Sequence, residues 1–133
     1  MILVDSNVIM YAAGAAHRNR TRSIAFLERV ARGEAEAAVD AEALQEILHR
    51  CKAIKRWADG RRVYDLTRRV FPVVLAIDAE TTDRARILLD AHRYLSARDA
   101  LHAAVVLAHG LEGICSFDRD FDRLPNVNRI EPE

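Results

Sequence analysis

Three carboxylates of this chain stand where a predicted strand ends or a predicted helix begins. The first strand, residues 2–4, runs directly into Asp5, and a later strand, residues 114–116, is followed by Asp118. Asp99 lies in the first turn of the apolar helix that leads into the later strand. Ligands of open parallel sheets gather at the carboxyl ends of strands, so we expect these carboxylates to share one site if the two strands are neighbours.

The chemistry open to such a cluster is set by the repulsion between its carboxylates, which a shared proton or a bound cation relieves. Sites built from oxygen ligands suit Mg²⁺ or Mn²⁺, whereas zinc prefers His and Cys. Glu46 is a further candidate, because it lies off the apolar stripe of its predicted helix and is free to face either solvent or a cleft. The residue types therefore favour a divalent-metal site.

The same acidic residues also have a purely structural explanation. Ser96 and Asp99 have the spacing of a capping box, in which a hydroxyl and a carboxylate satisfy the free N–H groups of a first helical turn. Asp5 and Asn7 are suited to cap the helix that begins near Val8. A binding module whose carboxylates only cap helices and face a basic partner therefore remains an alternative.

Other catalytic chemistries find less support. His102 lies one helical turn after Asp99, where it either supports a ligand or packs in the core. The serines show no nucleophile elbow, the glycines form no phosphate-binding loop, and the two cysteines lack a zinc or disulfide spacing. Phosphoryl transfer with Asp5 as the nucleophile is disfavoured, because position 7 is Asn and no Lys follows Lys55.

Length and composition predict one domain over residues 1–133, since half of the 133 residues are hydrophobic and can form a substantial core. The formal net charge is zero, which counts against tight sequence-independent binding to nucleic acid. No signal peptide or membrane-length apolar run is visible. We therefore expect a cytoplasmic protein that does not contact a membrane.

Short apolar strands alternate with helices along the chain, which predicts an α/β fold with a parallel sheet between helix layers. The predicted strands are residues 2–4, 37–39, 73–75, 114–116 and 127–130. The predicted helices begin near Val8 and continue with 21–32, about 41–54, 61 to Pro72, 82–94 and Ser96 to Gly110. Asp40 is predicted to cap the helix from 41, Asp78 or Thr81 the helix from 82, and Asp59-Gly60 to interrupt helical structure.

Four pieces of sequence, taken in order, resemble a known family. They are Asp5-Ser6-Asn7 after the first strand, Glu46 in a mid-chain helix, Arg98-Asp99-Ala100-Leu101-His102-Ala103-Ala104, and Ser116-Phe117-Asp118-Arg119-Asp120-Phe121. In length and order they look like a PIN domain of the VapC type, the toxin ribonucleases of toxin–antitoxin pairs. The resemblance implies a three-layer α/β/α PIN-like fold with a short, mainly parallel central sheet.

The resemblance also implies a set of site residues. The family's acidic quartet maps onto Asp5, Glu46, Asp99 and Asp118, with Asn7 and Ser116 as supporting polar residues. Glu42 remains an alternative to Glu46, and Asp120 an alternative to Asp118. The arginines that we expect near RNA backbone are Arg18, Arg20, Arg22 and Arg98, or Arg61 and Arg62.

By the same resemblance, the chain is expected to be an RNA endonuclease that depends on Mg²⁺ or Mn²⁺. Metal-activated water would hydrolyse the phosphodiester bond and leave 5′-phosphate and 3′-hydroxyl ends. The expected partners are a second copy of the chain, in a homodimer, and a VapB-like antitoxin that blocks the acidic pocket. A structure-specific DNA nuclease and a catalytically silent binding module remain alternatives.

Overall fold

The computed structural model describes residues 1–133 and places five short strands in one sheet. The strands are β1 (Ile2–Val4), β2 (Ala37–Asp40), β3 (Val74–Leu75), β4 (Ile114–Cys115) and β5 (Arg129–Ile130). Their spatial order is β3-β2-β1-β4-β5, and every neighbouring pair is parallel. Leu3 of β1 pairs with Ala38 on one side and with Ile114 on the other. The first strand and the strand at Ile114 are therefore neighbours, which is the condition under which Asp5 and Asp118 are expected to approach each other.

Six helices cover the sheet. They are α1 (Ser6–Ala13), α2 (Arg20–Ala31), α3 (Ala41–Ala53), α4 (Trp57–Val70), α5 (Ala79–Ala91) and α6 (Ala97–His109), and a short 3₁₀ helix spans Arg119–Arg123. None of these helices combines the length and the apolar character that a membrane span needs.

The two faces of the sheet carry separate cores. Leu3 and Ile114 pack with residues of α5 and α6, whereas the next residues along the same strands, Val4 and Cys115, pack with α1 to α4. Successive side chains of a strand point to opposite faces, so one apolar run can fill both cores. The prediction of a parallel sheet between two helix layers is therefore confirmed.

Polar side chains cap the first turns of several helices. Asp40 accepts a hydrogen bond from the Ala43 amide at 2.9 Å, and Asp78 caps α5 in the same way through the amide of Thr81. Ser96 caps α6 by accepting from the Asp99 amide at 3.1 Å. The Asp99 carboxylate makes no return bond to Ser96, so only half of the predicted capping box forms and this carboxylate is free to face elsewhere.

Two predicted helix boundaries are wrong. The helix expected from Arg61 begins at Trp57, and Gly60 lies inside it rather than interrupting it. A Cβ atom at Gly60 would stand 2.4 Å from Cβ of Cys51, so this glycine permits the close packing of α3 on α4. The following helix covers Ala79–Ala91 instead of 82–94, because the Asp78 side chain, and not Thr81, caps its first turn.

Candidate active site

Three strand ends meet at one edge of the sheet. Asp40 ends β2, Asp5 follows β1 and Ser116 follows β4, and the strand order places β1 between the other two. All three side chains are buried, with exposed fractions of 0%, 5% and 0%. Burial of two carboxylates side by side is costly unless each has partners, so the hydrogen bonds at this edge decide what the site can hold.

Ser116 connects the residues around Asp5. Its hydroxyl donates to Oδ2 of Asp5 at 2.7 Å and accepts from the Asp118 amide at 3.0 Å. Because its only proton is given to Asp5, the neighbouring Asn7 must present its NH₂ group to Ser116, at 3.1 Å. The other amide atom, Asn7 Oδ1, is buried and has no hydrogen-bond partner. An unused oxygen acceptor therefore lies beside the carboxylates.

Glu46 enters the same site from α3. Its Oε1 lies 3.0 Å from Nε2 of His102, and its Oε2 accepts a hydrogen bond from the hydroxyl of Ser6. Nη1 of Arg98 stands 3.7 Å from the same Oε2. The alternative Glu42 is half-buried and does not line the cleft, whereas Glu46 does.

Asp99 and Asp118 form a second group of carboxylates with Asp120. One oxygen from each of the three lies within 4.8 Å of the others. Asp118 also caps the 3₁₀ helix, since its Oδ1 accepts from the Asp120 amide at 2.9 Å. Asp118 lines the cleft together with Asp99, and Asp120 does not. No cationic side chain is bonded to any member of this group.

A cleft of about 590 Å³ opens over these residues. Its lining combines the acidic groups with cationic side chains and comprises Asp5, Ser6, Asn7, Met10, Tyr11, Glu46, His49, Arg50, Ala53, Ile54, Arg98, Asp99 and Asp118. Arg98 is thus in the cleft, whereas Arg18, Arg20 and Arg22 are outside it. Arg22 forms an ion pair with Glu131 at 2.8 Å. Arg61 and Arg62 also do not line this cleft.

Glu46 and Asp99 differ in the direction of their pKa shifts. Burial, and then the charges of Asp5 and Asp118, raise the pKa of Asp99 from 3.8 to about 7. Burial also acts to raise the pKa of Glu46, but hydrogen bonds from His102 and Ser6 outweigh it and leave this pKa below its usual value. Repulsion is therefore relieved by hydrogen bonding around Glu46 and is unrelieved around Asp99.

The donor set fits a hard divalent cation. Asp5, Asp99 and Asp118 line one cleft, and so does Asn7, whose buried Oδ1 has no hydrogen-bond partner. Such carboxylate and amide oxygens are the ligands that Mg²⁺ and Mn²⁺ accept. A bound cation would counter the repulsion from Asp5 and Asp118 that, after burial, raises the pKa of Asp99. The four predicted acidic residues thus line one cleft, and their oxygen atoms are of the type that a hard divalent cation prefers.

Sequence reasoning missed part of the site. The sequence predicts only a capping role for Asp40, but its second oxygen, Oδ2, lies 2.7 Å from Nδ1 of His102. The available signal was that Asp40 directly follows a predicted strand, as Asp5 does. His49 and Arg50 were not predicted as cleft residues either. Their position follows from α3 running along the cleft, which the sequence does not specify.

Comparison with known proteins agrees with this geometry. The profile of the family described as PIN domain matches residues 2–127. The chain is 42% identical over 130 residues to ribonuclease VapC13 of Mycobacterium tuberculosis, covering 98% of this chain and 99% of that protein.

Solved structures share the fold. Mycobacterium tuberculosis VapC20, described as a sarcin-ricin loop cleaving toxin, has a TM-score of 0.78 at 17% identity, over 99% of this chain and 100% of that one. VapBC2 from Rickettsia felis, bound to a promoter DNA fragment, has a TM-score of 0.77 at 18% identity, over 98% of both chains. With the family match over almost all of its length, the chain belongs to the PIN-domain family, in its VapC group.

Proposed function

We propose that residues 1–133 form one PIN-like domain that acts as a divalent-metal-dependent RNA endonuclease of the VapC type. The observation that carries the proposal is the convergence of Asp5, Glu46, Asp99 and Asp118 in one open cleft. The relative at 42% identity is named a ribonuclease, which supports the same reaction for this chain. The expected products carry 5′-phosphate and 3′-hydroxyl ends.

The carboxylates of Asp5, Asp99 and Asp118 would hold Mg²⁺ or Mn²⁺, with Glu46 and Asn7 Oδ1 at its side. The chemistry that a divalent cation supplies in such a site is a lower pKa for bound water and neutralisation of charge on the phosphate. Ser116 holds Asp5 by its hydrogen bond at 2.7 Å and keeps this carboxylate at the cleft floor. No side chain of the chain has to act as a nucleophile.

Cationic residues of the cleft suit the RNA backbone. Arg50 and Arg98 line the same cleft as the carboxylates and can donate charge-assisted hydrogen bonds to phosphate oxygens. Arg18 and Arg20 are exposed and stand outside the cleft, so we propose that they contact RNA beyond the cleaved bond. Arg22 donates a hydrogen bond from one guanidinium nitrogen to Glu131, so it has fewer donors left for RNA than Arg18 and Arg20 have.

We also propose two protein partners, a second copy of the chain and a VapB-like antitoxin. The solved relatives from Rickettsia felis and Klebsiella pneumoniae are toxin–antitoxin complexes, which supports the second partner. A basic side chain of an antitoxin would be attracted to the acidic group around Asp99, where no cation of this chain is bonded. Light scattering across micromolar concentrations tests the dimer, and a monomer throughout would contradict it.

The direct test of the activity is cleavage of a pool of short RNAs by the purified chain. We expect cleavage with Mg²⁺ that EDTA and the substitution Asp99→Asn each abolish. Asp83→Asn is the matched control, because Asp83 is an exposed helical aspartate remote from the cleft. Cleavage of matched DNA oligonucleotides instead of RNA would indicate the alternative, a DNA nuclease. Absence of metal binding would favour the catalytically silent binding module.

A further inference from the structure

A histidine at the floor of the site is bonded on both sides. His102 is fully buried on α6, with Nδ1 2.7 Å from Oδ2 of Asp40 and Nε2 3.0 Å from Oε1 of Glu46. Its Nε2 also lies 3.8 Å from Oδ1 of Asp5. The imidazole of His102 on α6 thus bridges two carboxylates, that of Glu46 in α3 and that of Asp40, which caps α3.

The Asp40 end of this bridge is fixed. Asp40 is fully buried, and its Oδ1 accepts the hydrogen bond from the Ala43 amide that starts α3. Its Oδ2 is thereby aimed at His102. A carboxylate only accepts hydrogen bonds, so Nδ1 donates to Asp40 and Nε2 donates to Glu46, and the ring is held in one orientation.

The Glu46 end is the part that reaches the cleft. With Oε1 on His102 and Oε2 on Ser6, this side chain has both oxygens engaged and one preferred conformation. Glutamate has high rotamer entropy when it is unrestrained. Carboxylates around metal ions depend on such outer hydrogen bonds for their orientation, and loss of one typically costs about 10- to 100-fold in metal affinity or activity.

We propose that His102, oriented by Asp40, is the positioning residue that holds Glu46 in place for the metal and the RNA phosphate. The inference rests on the proposed function, since Glu46 needs a fixed position only if the cleft binds a cation. His102 acts through Glu46 and does not itself touch metal or RNA. Its placement one turn after Asp99 lets a single helix supply both a carboxylate of the site and the support of another.

The test compares Mn²⁺ affinity by calorimetry and single-strand RNA cleavage in a set of variants. For His102→Phe we expect Mn²⁺ affinity and kcat to fall by about 10- to 100-fold. The KM for RNA should stay nearly unchanged, because Arg50 and Arg98 remain in the cleft. In a Glu46→Gln background the same substitution should add little further loss, since His102 acts through Glu46.

Asp40→Asn supplies the conservative variant. The Asn oxygen can keep the bond to Ala43 while its NH₂ group faces His102, whose neutral ring then still donates from Nε2 to Glu46. We expect its loss of Mn²⁺ affinity to be less than about tenfold. Should His102→Phe fail to fold beside the charged Asp40, the comparison of Asp40→Asn with Asp40→Asn/His102→Phe measures the same effect.

Asp78→Asn is the matched control, because Asp78 caps α5 as Asp40 caps α3 but lies outside the cleft. It should lower the melting temperature without changing Mn²⁺ affinity. If the wild type binds Mn²⁺ and cleaves RNA while His102→Phe does so equally well, the inference is wrong and the proposed function stands. Losses that are additive with Glu46→Gln, or a nitrogen ligand detected on Mn²⁺ by pulsed electron paramagnetic resonance, would also overturn it. A wild type that neither binds Mn²⁺ nor cleaves overturns both.

Discussion

Replacing Asp99 by Asn should make the metal-free protein more stable, although the substitution removes a residue of the proposed active site. The pKa of Asp99 is raised from 3.8 to about 7 by burial and by Asp5 and Asp118. At 1.36 kcal/mol per pKa unit, ionising this group above pH 8 costs about 4 kcal/mol relative to a free carboxylate. Asp99 is only half-buried, and solvent screening reduces the cost to about 1 to 2 kcal/mol.

The interaction of the Asp99 charge with the dipole of α6 reduces the stability gain expected for Asp99→Asn. Asp99 lies in the first turn of α6, where a negative charge interacts favourably with the helix dipole by about 0.3 to 1 kcal/mol. The net gain expected for Asp99→Asn at pH 8 is about 1 kcal/mol, which corresponds to an increase in melting temperature of about 4 °C. The assay is a thermal melt in EDTA, with Asp83→Asn as the control.

The stability difference between Asp99→Asn and the wild type should depend on pH. A carboxyl whose pKa is raised in the folded state contributes stability below its unfolded pKa of 3.8, and this is lost as pH rises to about 7. The advantage of Asp99→Asn should therefore be small near pH 4, grow up to pH 7 and stay constant above it. Addition of Mg²⁺ at 100 times its dissociation constant should stabilise the wild type by about 2.7 kcal/mol and the variant by less. A variant that is less stable than wild type at pH 8, with no response of either protein to Mg²⁺, would refute the metal site and favour simple helix capping.

Three further predictions concern other positions. Gly60→Ala should lower the free energy of unfolding, measured in urea, by about 1 to 3 kcal/mol, because the new Cβ would stand 2.4 Å from Cβ of Cys51. An unchanged free energy of unfolding would show that α4 can move away from α3 without cost. Ser116→Ala should cost about 1 to 3 kcal/mol by the same measurement, because a buried carboxylate and the Asp118 amide lose their partner. Asp118→Asn should reduce RNA cleavage by about 100-fold and Asp120→Asn by about tenfold or less, because only the former lines the cleft. The reverse ranking in a cleavage assay would make Asp120 the fourth acidic residue of the site.

The sequence predicts the strands well because an apolar run is a local signal. Apolar runs that end in Asp5 or near Asp118 mark buried strands whatever their neighbours are, and each lies close to its observed position. Strand order is not a local signal, so the placement of Asp40 beside Asp5 could not be derived. The role of Gly60 is not predicted correctly for a related reason, since it depends on how closely α4 approaches α3.

His102 shows where sequence reasoning ends and packing decides. Its position one turn after Asp99 predicts a residue near the site, but the same spacing is compatible with an ordinary core histidine. The packing of α6 over the ends of β1 and β2 brings it to Asp40 and Glu46. The contacts of His102 with Asp40 and Glu46, and not its sequence position, are what separate the proposed positioning role from simple core packing.

The distribution of charge differs between the two sides of the cleft, and this difference bears on the proposed metal site. Around Glu46, His102 and Ser6 supply hydrogen bonds, and the pKa of this carboxylate falls despite its burial. Around Asp99, burial and two neighbouring carboxylates act together, no cation of the chain is bonded, and its pKa rises. A fold that had neutralised both groups internally would gain stability but would leave a divalent cation little reason to bind. The unrelieved repulsion at Asp99 and Asp118 is therefore the part of the structure that a metal ion, or a basic side chain of an inhibitor, is best placed to relieve.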